Sequence, residues 1–235
     1  MNPSFITPPV ITLDGPSGTG KGTLCHQLAN HLGWNFLDSG AIYRAFAVCV
    51  LQDTLHHPHS KEQLVMLAQS LPLRFATGSD DTQHVYLHNQ DISNVIRAEQ
   101  VGQQASLLAA LPEVRAALLE RQRDFAQWPG LVTDGRDMGT VVFPGANLKI
   151  YLYATAEERA MRRFLQLQSK GSNESLAAII EELTIRDARD MARPHAPLTP
   201  AEDAIQIDTT GLTVVQVLKS ILQLAAERGL YRVQS

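Results

Sequence analysis

Gly15-Pro16-Ser17-Gly18-Thr19-Gly20-Lys21 follows a short apolar run, Pro9 to Leu13, and precedes a segment in which Leu24, Leu28 and Leu32 recur at helical spacing. Glycines at such a strand-to-helix junction let backbone N–H groups converge on phosphate oxygens, and the helix N-terminus adds its positive dipole end. The GxxxxGK spacing matches most of the Walker A pattern, in which the lysine reaches the β and γ phosphates. This context favours a phosphate-binding loop over an ordinary glycine turn with a solvated lysine.

Position 22 departs from the Walker A pattern, which has Ser or Thr there to approach Mg²⁺. This chain has Gly22 at that position, and the hydroxyl arrives one residue later at Thr23. We expect the loop from Gly15 to Thr23 to bind ATP phosphates, with Thr23 as the candidate magnesium ligand. We also expect Lys21, as a surface-loop lysine, to bury little, so that its replacement would leave folding almost untouched.

The composition is that of an ordinary globular chain. The 235 residues include 20 Lys and Arg against 24 Asp and Glu, a net charge of −4, and 44% of them are hydrophobic. A charged fraction of 19% argues against a largely disordered chain. The mildly acidic balance lacks the electrostatic attraction that most polynucleotide binders use. We therefore expect small-molecule partners and no polynucleotide.

The sequence gives no sign of export or of a membrane span. It contains no run of 18 apolar residues, and no Lys or Arg precedes Lys21. A transmembrane helix and a cationic signal-peptide start are therefore not expected. We interpret the chain as a cytoplasmic protein that does not bind membranes, and we expect a monomer.

Strand and helix patterns alternate along most of the chain, which predicts an α/β fold with a parallel sheet and helices on both faces. Buried strands are predicted at Gly130 to Thr133 and Leu148 to Leu152, and a last short strand at Ala204 to Ile207. Phe36-Leu37 is a second short apolar piece. Three predicted helices begin with a Ser or Thr that precedes a Gln or Glu by three residues, the spacing of a capping box. These helix starts are Ser60, Thr155 and Thr213.

The stretch from Leu73 to about Ala110 differs from the rest. Two β-like runs, Leu73 to Ala76 and His84 to Leu87, flank a polar turn from Thr77 to Gln83, and a helix through Val101 and Leu108 follows. We interpret this stretch as an inserted subdomain.

Charged residues of the penultimate predicted helix suggest a second anionic ligand. Arg186, Asp190 and Arg193 stand at i, i+4 and i+7, which places them on one helical face. Alone, this pattern would indicate a surface salt-bridge ladder. Beside a phosphate-binding loop it favours a phosphorylated second substrate, since phosphoryl transfer depends on positioning and charge neutralisation. The sequence has no NKxD and no LSGGQ motif, which disfavours a GTPase and a transporter ATPase.

A second polar cluster, Asp134-Gly135-Arg136-Asp137, directly follows the predicted strand Gly130 to Thr133. The carboxyl ends of parallel strands are where α/β proteins bind ligands, so this cluster is a candidate binding segment. A turn with a capping Asp is the alternative interpretation.

Three stretches of the chain resemble the signature stretches of bacterial cytidylate kinases. They are Asp14 to Thr23, Leu37 to Arg44 (LDSGAIYR) and Asp134 to Pro144 (DGRDMGTVVFP). Arg186-Asp187-Ala188-Arg189-Asp190 is also in register, and the similarity runs from about Pro9 to the last helix. The loop of that family normally carries GKGT, so Gly22 is shared with nucleoside monophosphate kinases.

The resemblance implies a single P-loop kinase domain over residues 1–235. Its core would comprise residues 1–40, 112–154 and 171–235. A monophosphate-binding insertion would span about 41–111, and a small mobile lid would span about 155–170.

The resemblance also implies roles for individual residues. The acceptor monophosphate would be held by arginines, namely Arg44, Arg136 and Arg193. The sugar would be approached by Arg186 and Asp190. The cytosine ring would be contacted by Ser39, Ser106, Arg115 and Asp137. The ATP phosphates would be held by Lys21 and the loop amides, with Arg162 as the lid arginine. The catalytic groups would be Lys21, Arg44, Arg136, Arg162 and Arg193.

The implied reaction transfers the γ-phosphoryl group of ATP to CMP and dCMP, giving CDP and dCDP in pyrimidine nucleotide metabolism, with Mg²⁺ bound to the donor. This fits cytosine, whose N4 amino group can donate to a carboxylate and whose N3 and O2 can accept from a guanidinium. Two alternatives remain open. One is a P-loop kinase for another small acceptor, such as UMP or a hydroxy acid, and the other is a nucleotide-sensing module that binds ATP without turnover.

Overall fold

The computed structural model of the chain describes residues 6–53, 58–77, 83–169, 171 and 173–231. Two units are formed, the first by Met1–Asp38 with Arg123–Ser235 and the second by Ser39–Gln122. The predicted insertion of about 41–111 falls within the second unit. Lys170, at the end of the predicted lid, and residues 78–82 of the predicted polar turn lie outside the described residues.

Strands and helices alternate in the first unit, and the second unit combines helices with three short strands. The strands are β1 (Val10–Asp14), β2 (Asn35–Asp38), β3 (Leu73–Thr77), β4 (Gln83–Leu87), β5 (Gln90–Asp91), β6 (Leu131–Gly135), β7 (Leu148–Tyr153) and β8 (Ile205–Asp208). The α-helices are α1 (Lys21–Leu32), α2 (Ser39–Gln52), α3 (Lys61–Gln69), α4 (Glu99–Leu108), α5 (Pro112–Arg123), α6 (Ala156–Gln168), α7 (Leu176–Met191) and α8 (Val214–Glu227). A 3₁₀-helix spans Val95–Arg97, and a π-helix spans Met138–Val142. Within the described ranges, no helix is long and apolar enough to cross a bilayer.

The five strands of the first unit form one parallel sheet in the order β2-β6-β1-β7-β8. Leu13 of β1 pairs with Asp134 of β6 on one side and with Ile150 of β7 on the other. Every residue of β1 and β6 is buried, as expected for parallel strands that helices cover on both faces. The predicted fold class, α/β with a parallel sheet flanked by helices, is confirmed.

The core of the first unit lies where α1 and α8 pack on this sheet. Leu24 and Leu28 lie one helical turn apart on α1 and are buried against Ile11 and Ile150 of the sheet, and Ile221 of α8 belongs to the same cluster. Each fully buried Leu or Ile contributes about 1.5–3 kcal/mol to folding. The apolar residues at helical spacing thus hold α1 against the sheet, and with it Lys21 at the start of the helix.

The predicted helix starts are confirmed. Ser60 Oγ accepts a hydrogen bond from the backbone N–H of Gln63 at 3.3 Å, and the Gln63 side chain accepts from the backbone N–H of Ser60 at 2.7 Å. Thr213 forms the same reciprocal capping box at α8. At α6, Thr155 Oγ1 accepts from the backbone N–H of Glu158 at 3.2 Å.

The second unit contains a three-stranded antiparallel sheet in the order β3-β4-β5. The two predicted β-like runs are strands, and they pair antiparallel, with Leu73 opposite Leu87. The sequence did not predict β5, because two exposed residues show no alternation of apolar and polar side chains.

Gly130, just before β6, provides a test of packing in the first unit. A Cβ at this position would lie 2.4 Å from Cδ2 of Trp34 and 2.7 Å from two further ring carbons, whereas a Cβ at Gly145 would meet nothing within 4 Å. We expect Gly130→Ala to lower the free energy of unfolding by about 1–3 kcal/mol, since overpacking displaces the indole ring. Gly145→Ala, the control, should change it by less than about 0.5 kcal/mol. Urea denaturation measures both, and equal midpoints for the two variants would contradict this packing.

Candidate active site

The glycine loop, residues 15–20, joins the end of β1 to the start of α1. Gly15 has φ of +141°, and a Cβ there would lie 2.0 Å from the carbonyl oxygen of Leu152. Only glycine therefore lets the chain turn this closely past β7. Gly20 precedes α1 with φ of +91° and has no side chain to accept from the first N–H groups of the helix. These N–H groups and the helix dipole suit an anion such as phosphate.

Lys21 is buried beneath this loop. Its Nζ donates hydrogen bonds to the carbonyl oxygen of Pro16 at 2.6 Å and to Thr19 Oγ1 at 3.3 Å, and only 6% of the residue is exposed. Burial, together with the nearby Arg136 guanidinium, lowers the pKa of Lys21 to about 7, while Asp134 acts in the opposite direction. The expectation that Lys21 buries little is wrong, because the glycine loop folds over its ammonium group.

Aspartates lie at or next to the carboxyl ends of three neighbouring strands, and two of them, Asp14 and Asp134, act on the charge of Lys21. Asp38 ends β2, Asp14 ends β1, and Asp134 lies one residue before the end of β6. The parallel register pairs Asp38 with Asp134 directly. Burial and the charge of Asp38 raise the pKa of Asp134 to about 7, and Lys21 opposes this shift. The carboxyl edge of the sheet therefore concentrates negative charge beside one buried ammonium group.

Asp14 connects the glycine loop to the segment that follows β6. Its two carboxylate oxygens accept from the backbone N–H groups of Met138 and Gly139, each at 2.8 Å. These N–H groups belong to the first turn of the π-helix, and Asp137 is the residue immediately before that helix. Asp137 is buried, and Asp14 holds the two residues that follow it.

Arg136 joins several predicted site residues within the first unit. Its Nη2 donates to Ser17 Oγ at 2.6 Å, and its Nε donates to Asp190 Oδ2 at 2.9 Å. Asp190 also forms an ion pair with Arg193. The glycine loop, the segment after β6 and the end of α7 thus meet at one guanidinium group.

The prediction that Arg193 shares a helical face with Arg186 is wrong. Helix α7 ends at Met191, so Arg193 lies two residues beyond it and reaches back to Asp190 from an irregular segment. Arg186 lies one turn before Asp190 on α7 and is half-buried. The grouping of Asp190 with Arg193 therefore arises from the turn after α7 and not from helical periodicity.

Arg162 connects the predicted lid segment to the glycine loop. From α6 it donates to the carbonyl oxygen of Thr209 at 2.6 Å and to that of Thr19 at 3.5 Å. Its Nε also donates to Glu158 Oε1 at 3.0 Å. The side chain therefore lies between the loop and the segment after β8.

The remaining residues predicted to bind the acceptor belong to the second unit. Arg44 of α2 donates to the carbonyl oxygen of Ile96 at 2.8 Å and lies against Gly102 of α4, where a Cβ would be 3.0 Å from Arg44 Nη1. Arg115 of α5 lies over the ring of Tyr43, 5.5 Å from its centroid, and donates to the carbonyl oxygen of Ala109 at 3.2 Å. Buried hydroxyl residues are also present in this unit, at Ser39 and Ser106.

Two residues that sequence reasoning did not assign to the site contact the glycine loop. Arg159 of α6 and Asp187 of α7 form a buried ion pair and both hydrogen-bond the backbone of Ser17. Arg159 lies in the predicted lid segment, and Asp187 lies in the stretch Arg186-Asp187-Ala188-Arg189-Asp190 quoted for the family resemblance. No local spacing connects them, because they are 28 residues apart and their contact depends on helix packing.

The comparison with known proteins identifies the family. A sequence profile described as Cytidylate kinase matches residues 11–227. The chain belongs to the cytidylate kinase family. The resemblance seen in the signature stretches is thereby confirmed.

Curated members of the cytidylate kinase family are similar over nearly their whole length. A Cytidylate kinase of Stutzerimonas stutzeri (strain A1501) is 53% identical over 94% of this chain and 97% of its own. Those of Serratia proteamaculans (strain 568) and Aeromonas salmonicida (strain A449) are 53% and 51% identical, covering 94% of this chain in each case and 96% and 95% of their own.

The burial of Asp14 predicts a pH dependence of stability. Burial raises the pKa of Asp14 from 3.8 to about 6, although the two backbone N–H groups oppose the shift. Between these values the folded protein keeps a proton that the unfolded chain has released. The stabilising contribution of this group is therefore complete below about pH 4 and is lost as the pH rises through 6.

The variant Asp14→Asn, which cannot ionise, isolates this effect. We expect the unfolding free energy of the wild type, minus that of the variant, to fall by about 2–3 kcal/mol from about pH 4 to about pH 7.5. Denaturant titrations at several pH values measure the difference. Parallel curves for the two proteins would show that Asp14 ionises in the folded state as it does in water.

Proposed function

We propose that the protein transfers the γ-phosphoryl group of ATP to a phosphate oxygen of CMP or dCMP, releasing ADP and forming CDP or dCDP. The observation that carries the proposal is Arg136, which bonds the glycine loop through Ser17 and the end of α7 through Asp190. A donor-phosphate loop and a set of further cationic groups therefore adjoin one another in the first unit. Membership of the cytidylate kinase family supports CMP as the acceptor.

On the donor side, the loop amides and Lys21 would bind the ATP phosphates. Lys21 is fixed by Pro16 and Thr19, so its ammonium group needs little reorganisation when negative charge develops on the transferred group. Arg162 would add a second positive charge from α6. We propose that residues 155–170 act as the lid and that residues 41–111 act as the monophosphate-binding insertion of a single kinase domain.

The donor would bind as its magnesium complex. Mg²⁺ prefers carboxylate and hydroxyl oxygens and keeps several waters, so one or two protein ligands suffice. Asp134 fits this requirement, since it adjoins the first turn of α1, where a Cβ on Gly22 would lie 3.2 Å from Asp134 Oδ2. Thr23, exposed in the same turn, provides the hydroxyl group. We propose that Thr23 and Asp134 hold the ion, which would neutralise phosphate charge when bound.

On the acceptor side, the proposal assigns separate tasks to charged groups. The monophosphate would be held by Arg44, Arg136 and Arg193. The sugar would be contacted by Arg186 and Asp190, and the base by Ser39, Ser106, Arg115 and Asp137. Each guanidinium group that serves the monophosphate is anchored within its own unit, Arg44 on Ile96 and Arg193 on Asp190. Anchoring limits the entropy that binding must remove.

We further propose that the enzyme acts in the cytoplasm as a monomer, on small nucleotides and not on polynucleotides. The net charge of −4 supports the last point. Sedimentation equilibrium tests the monomer, and competition by single-stranded RNA in the kinase assay tests the exclusion of polynucleotides.

An acceptor panel tests the proposed function. ADP formation is measured in a coupled assay with CMP, dCMP, UMP, AMP, GMP and small hydroxy acids as acceptors. We expect CMP to have the highest kcat/KM, followed by dCMP. Preference for UMP or a hydroxy acid would identify another P-loop kinase, whereas tight ATP binding without ADP release would identify a nucleotide-sensing module.

Replacement of Lys21 tests the donor side. Lys21→Met should lower kcat about 10²- to 10⁴-fold, because a preorganised charge on the transferred group contributes about 3–5 kcal/mol. Lys219→Met, at an exposed position of α8, is the control and should keep the wild-type kcat. Since Lys21 is buried, denaturant unfolding is measured in parallel so that kcat refers to folded protein. If Lys21→Met kept a tenth of the wild-type kcat, Lys21 would not have the catalytic role proposed here.

Base selectivity tests the division of tasks on the acceptor side. Uracil replaces the N4 donor of cytosine with an acceptor and its N3 acceptor with a donor, so UMP would mismatch both Asp137 and Arg115. Two unpaired polar groups at about 1–3 kcal/mol each imply about 30-fold to 10⁴-fold preference for CMP in kcat/KM.

Two substitutions separate base reading from phosphate binding. In Asp137→Asn, the new amide group can donate to O4 of uracil. The ratio of kcat/KM for CMP to kcat/KM for UMP should therefore fall, chiefly because kcat/KM for CMP falls. Arg44→Ala should lower kcat/KM for CMP and for UMP by similar factors. The assignment fails if Asp137→Asn leaves the ratio of the two kcat/KM values unchanged while Arg44→Ala alters it.

A further inference from the structure

A buried ion pair of the first unit lies outside the residues assigned above to either substrate. Arg159 of α6 pairs with Asp187 of α7, and the two side chains are 9% and 8% exposed. Taking both charges out of water costs several kcal/mol per ion, which their attraction offsets only with good geometry and further hydrogen bonds. The hydrogen bonds that this pair makes to its neighbours therefore indicate its role in the structure.

Both partners bind the backbone of Ser17 in the glycine loop. Arg159 Nη1 donates to the carbonyl oxygen of Ser17 at 2.9 Å, and Asp187 Oδ1 accepts from the Ser17 N–H at 3.4 Å. Arg159 Nε also donates to the carbonyl oxygen of Ala154, at the start of α6, at 3.2 Å. The pair thus holds the two peptide groups on either side of one loop residue.

The next loop residue packs directly on the same helix. Gly18 has φ of +82°, and a Cβ there would lie 2.9 Å from Cβ of Arg159 and 3.0 Å from its carbonyl oxygen. The first turn of α6 therefore fills the space beside Gly18, while the Arg159 side chain reaches on to Ser17. One residue fixes both the position and the direction of this part of the loop.

Loop direction matters because the loop would bind phosphate through backbone N–H groups. Such donors contribute most when they already point at the oxygens and need not reorganise. We propose that Arg159 and Asp187 are positioning residues, which hold Ser17 and Gly18 in the conformation that binds the donor phosphates and do not themselves touch the donor. The inference rests on the proposed function only in taking the loop as the site of an adenine nucleotide.

A competing role for Arg159 makes the opposite prediction. In this alternative, Arg159 pairs with Asp187 only until a donor phosphate binds and then moves to the phosphate. Breaking the pair would then leave Arg159 available to the donor, and the donor would bind more tightly. If the pair positions the loop, the same change removes the acceptor that holds Arg159 in place, so the Ser17 peptide groups are held less firmly and binding weakens. The sign of the change in affinity therefore separates the two roles.

The experiment is calorimetric titration of the folded protein with Mg²⁺-ADP in the absence of CMP, and separately with CMP alone. We expect Asp187→Asn and Arg159→Met to raise the Kd for ADP about tenfold or more, and the Kd for CMP less than about threefold. Arg159→Lys keeps the charge but cannot bond Ser17, Ala154 and Asp187 together. Its Kd for ADP should lie between those of the wild type and Arg159→Met.

Asp203→Asn is the matched control, since it breaks another ion pair of the same unit, that of Asp203 with Lys149 at 2.8 Å. Its affinity for ADP should equal that of the wild type. If Asp187→Asn does not fold, the Kd of Arg159→Lys for ADP is sufficient to test the proposal.

Three results would overturn the proposal: an unchanged Kd for ADP in Arg159→Lys and Asp187→Asn, tighter ADP binding by Asp187→Asn, or equal weakening of ADP and CMP. Failure of the wild type to phosphorylate CMP would overturn the proposed function instead, because this titration involves neither turnover nor acceptor.

Discussion

Lys21 lies beneath the glycine loop with its ammonium group buried, and a buried ammonium must be compensated by nearby oxygens or lose its proton. The compensation comes from Pro16 and Thr19 above it and from the aspartates that end the neighbouring strands. Asp14 and Asp134 at the carboxyl edge of the sheet meet this requirement. The parallel strand order brings β2, β6 and β1 together, so it also brings together the charges on which the loop depends.

Ser17 shows how this local requirement extends to the rest of the first unit. Its N–H and carbonyl groups bind Asp187 and Arg159, and its hydroxyl group accepts from Arg136. Asp187 and the Arg136 partner Asp190 lie three residues apart on α7, so one helical face holds both attachments. Helix α7 therefore holds the glycine loop together with Arg136 and Arg193.

Sequence reasoning succeeded where local pattern determines structure. Glycine spacing located the loop, apolar periodicity located α1, and the capping residues Ser60 and Thr213 marked helix starts, because each depends on residues within one or two turns. It failed where the cause is distant. The burial of Lys21, the π-helix anchored by Asp14 and the Arg159–Asp187 pair depend on contacts across strands or between helices. Recognition of the family located most candidate residues, but it could not show which of them hold one another in place.

Arg136 illustrates why such mutual support is compatible with substrate binding. A guanidinium group has five N–H donors. In the part of the chain that the structure describes, Arg136 uses three of them, on Asp190, Ser17 and the carbonyl oxygen of Gly135. Two donors therefore remain, and they would serve the acceptor phosphate that we propose Arg136 binds. Because its charge is already matched by Asp190, Arg136 stays ordered before substrate arrives, and the entropy of fixing a long side chain is paid during folding and not during binding. If Arg136 binds the acceptor as proposed, it could do so without giving up its contacts to Ser17 and Asp190.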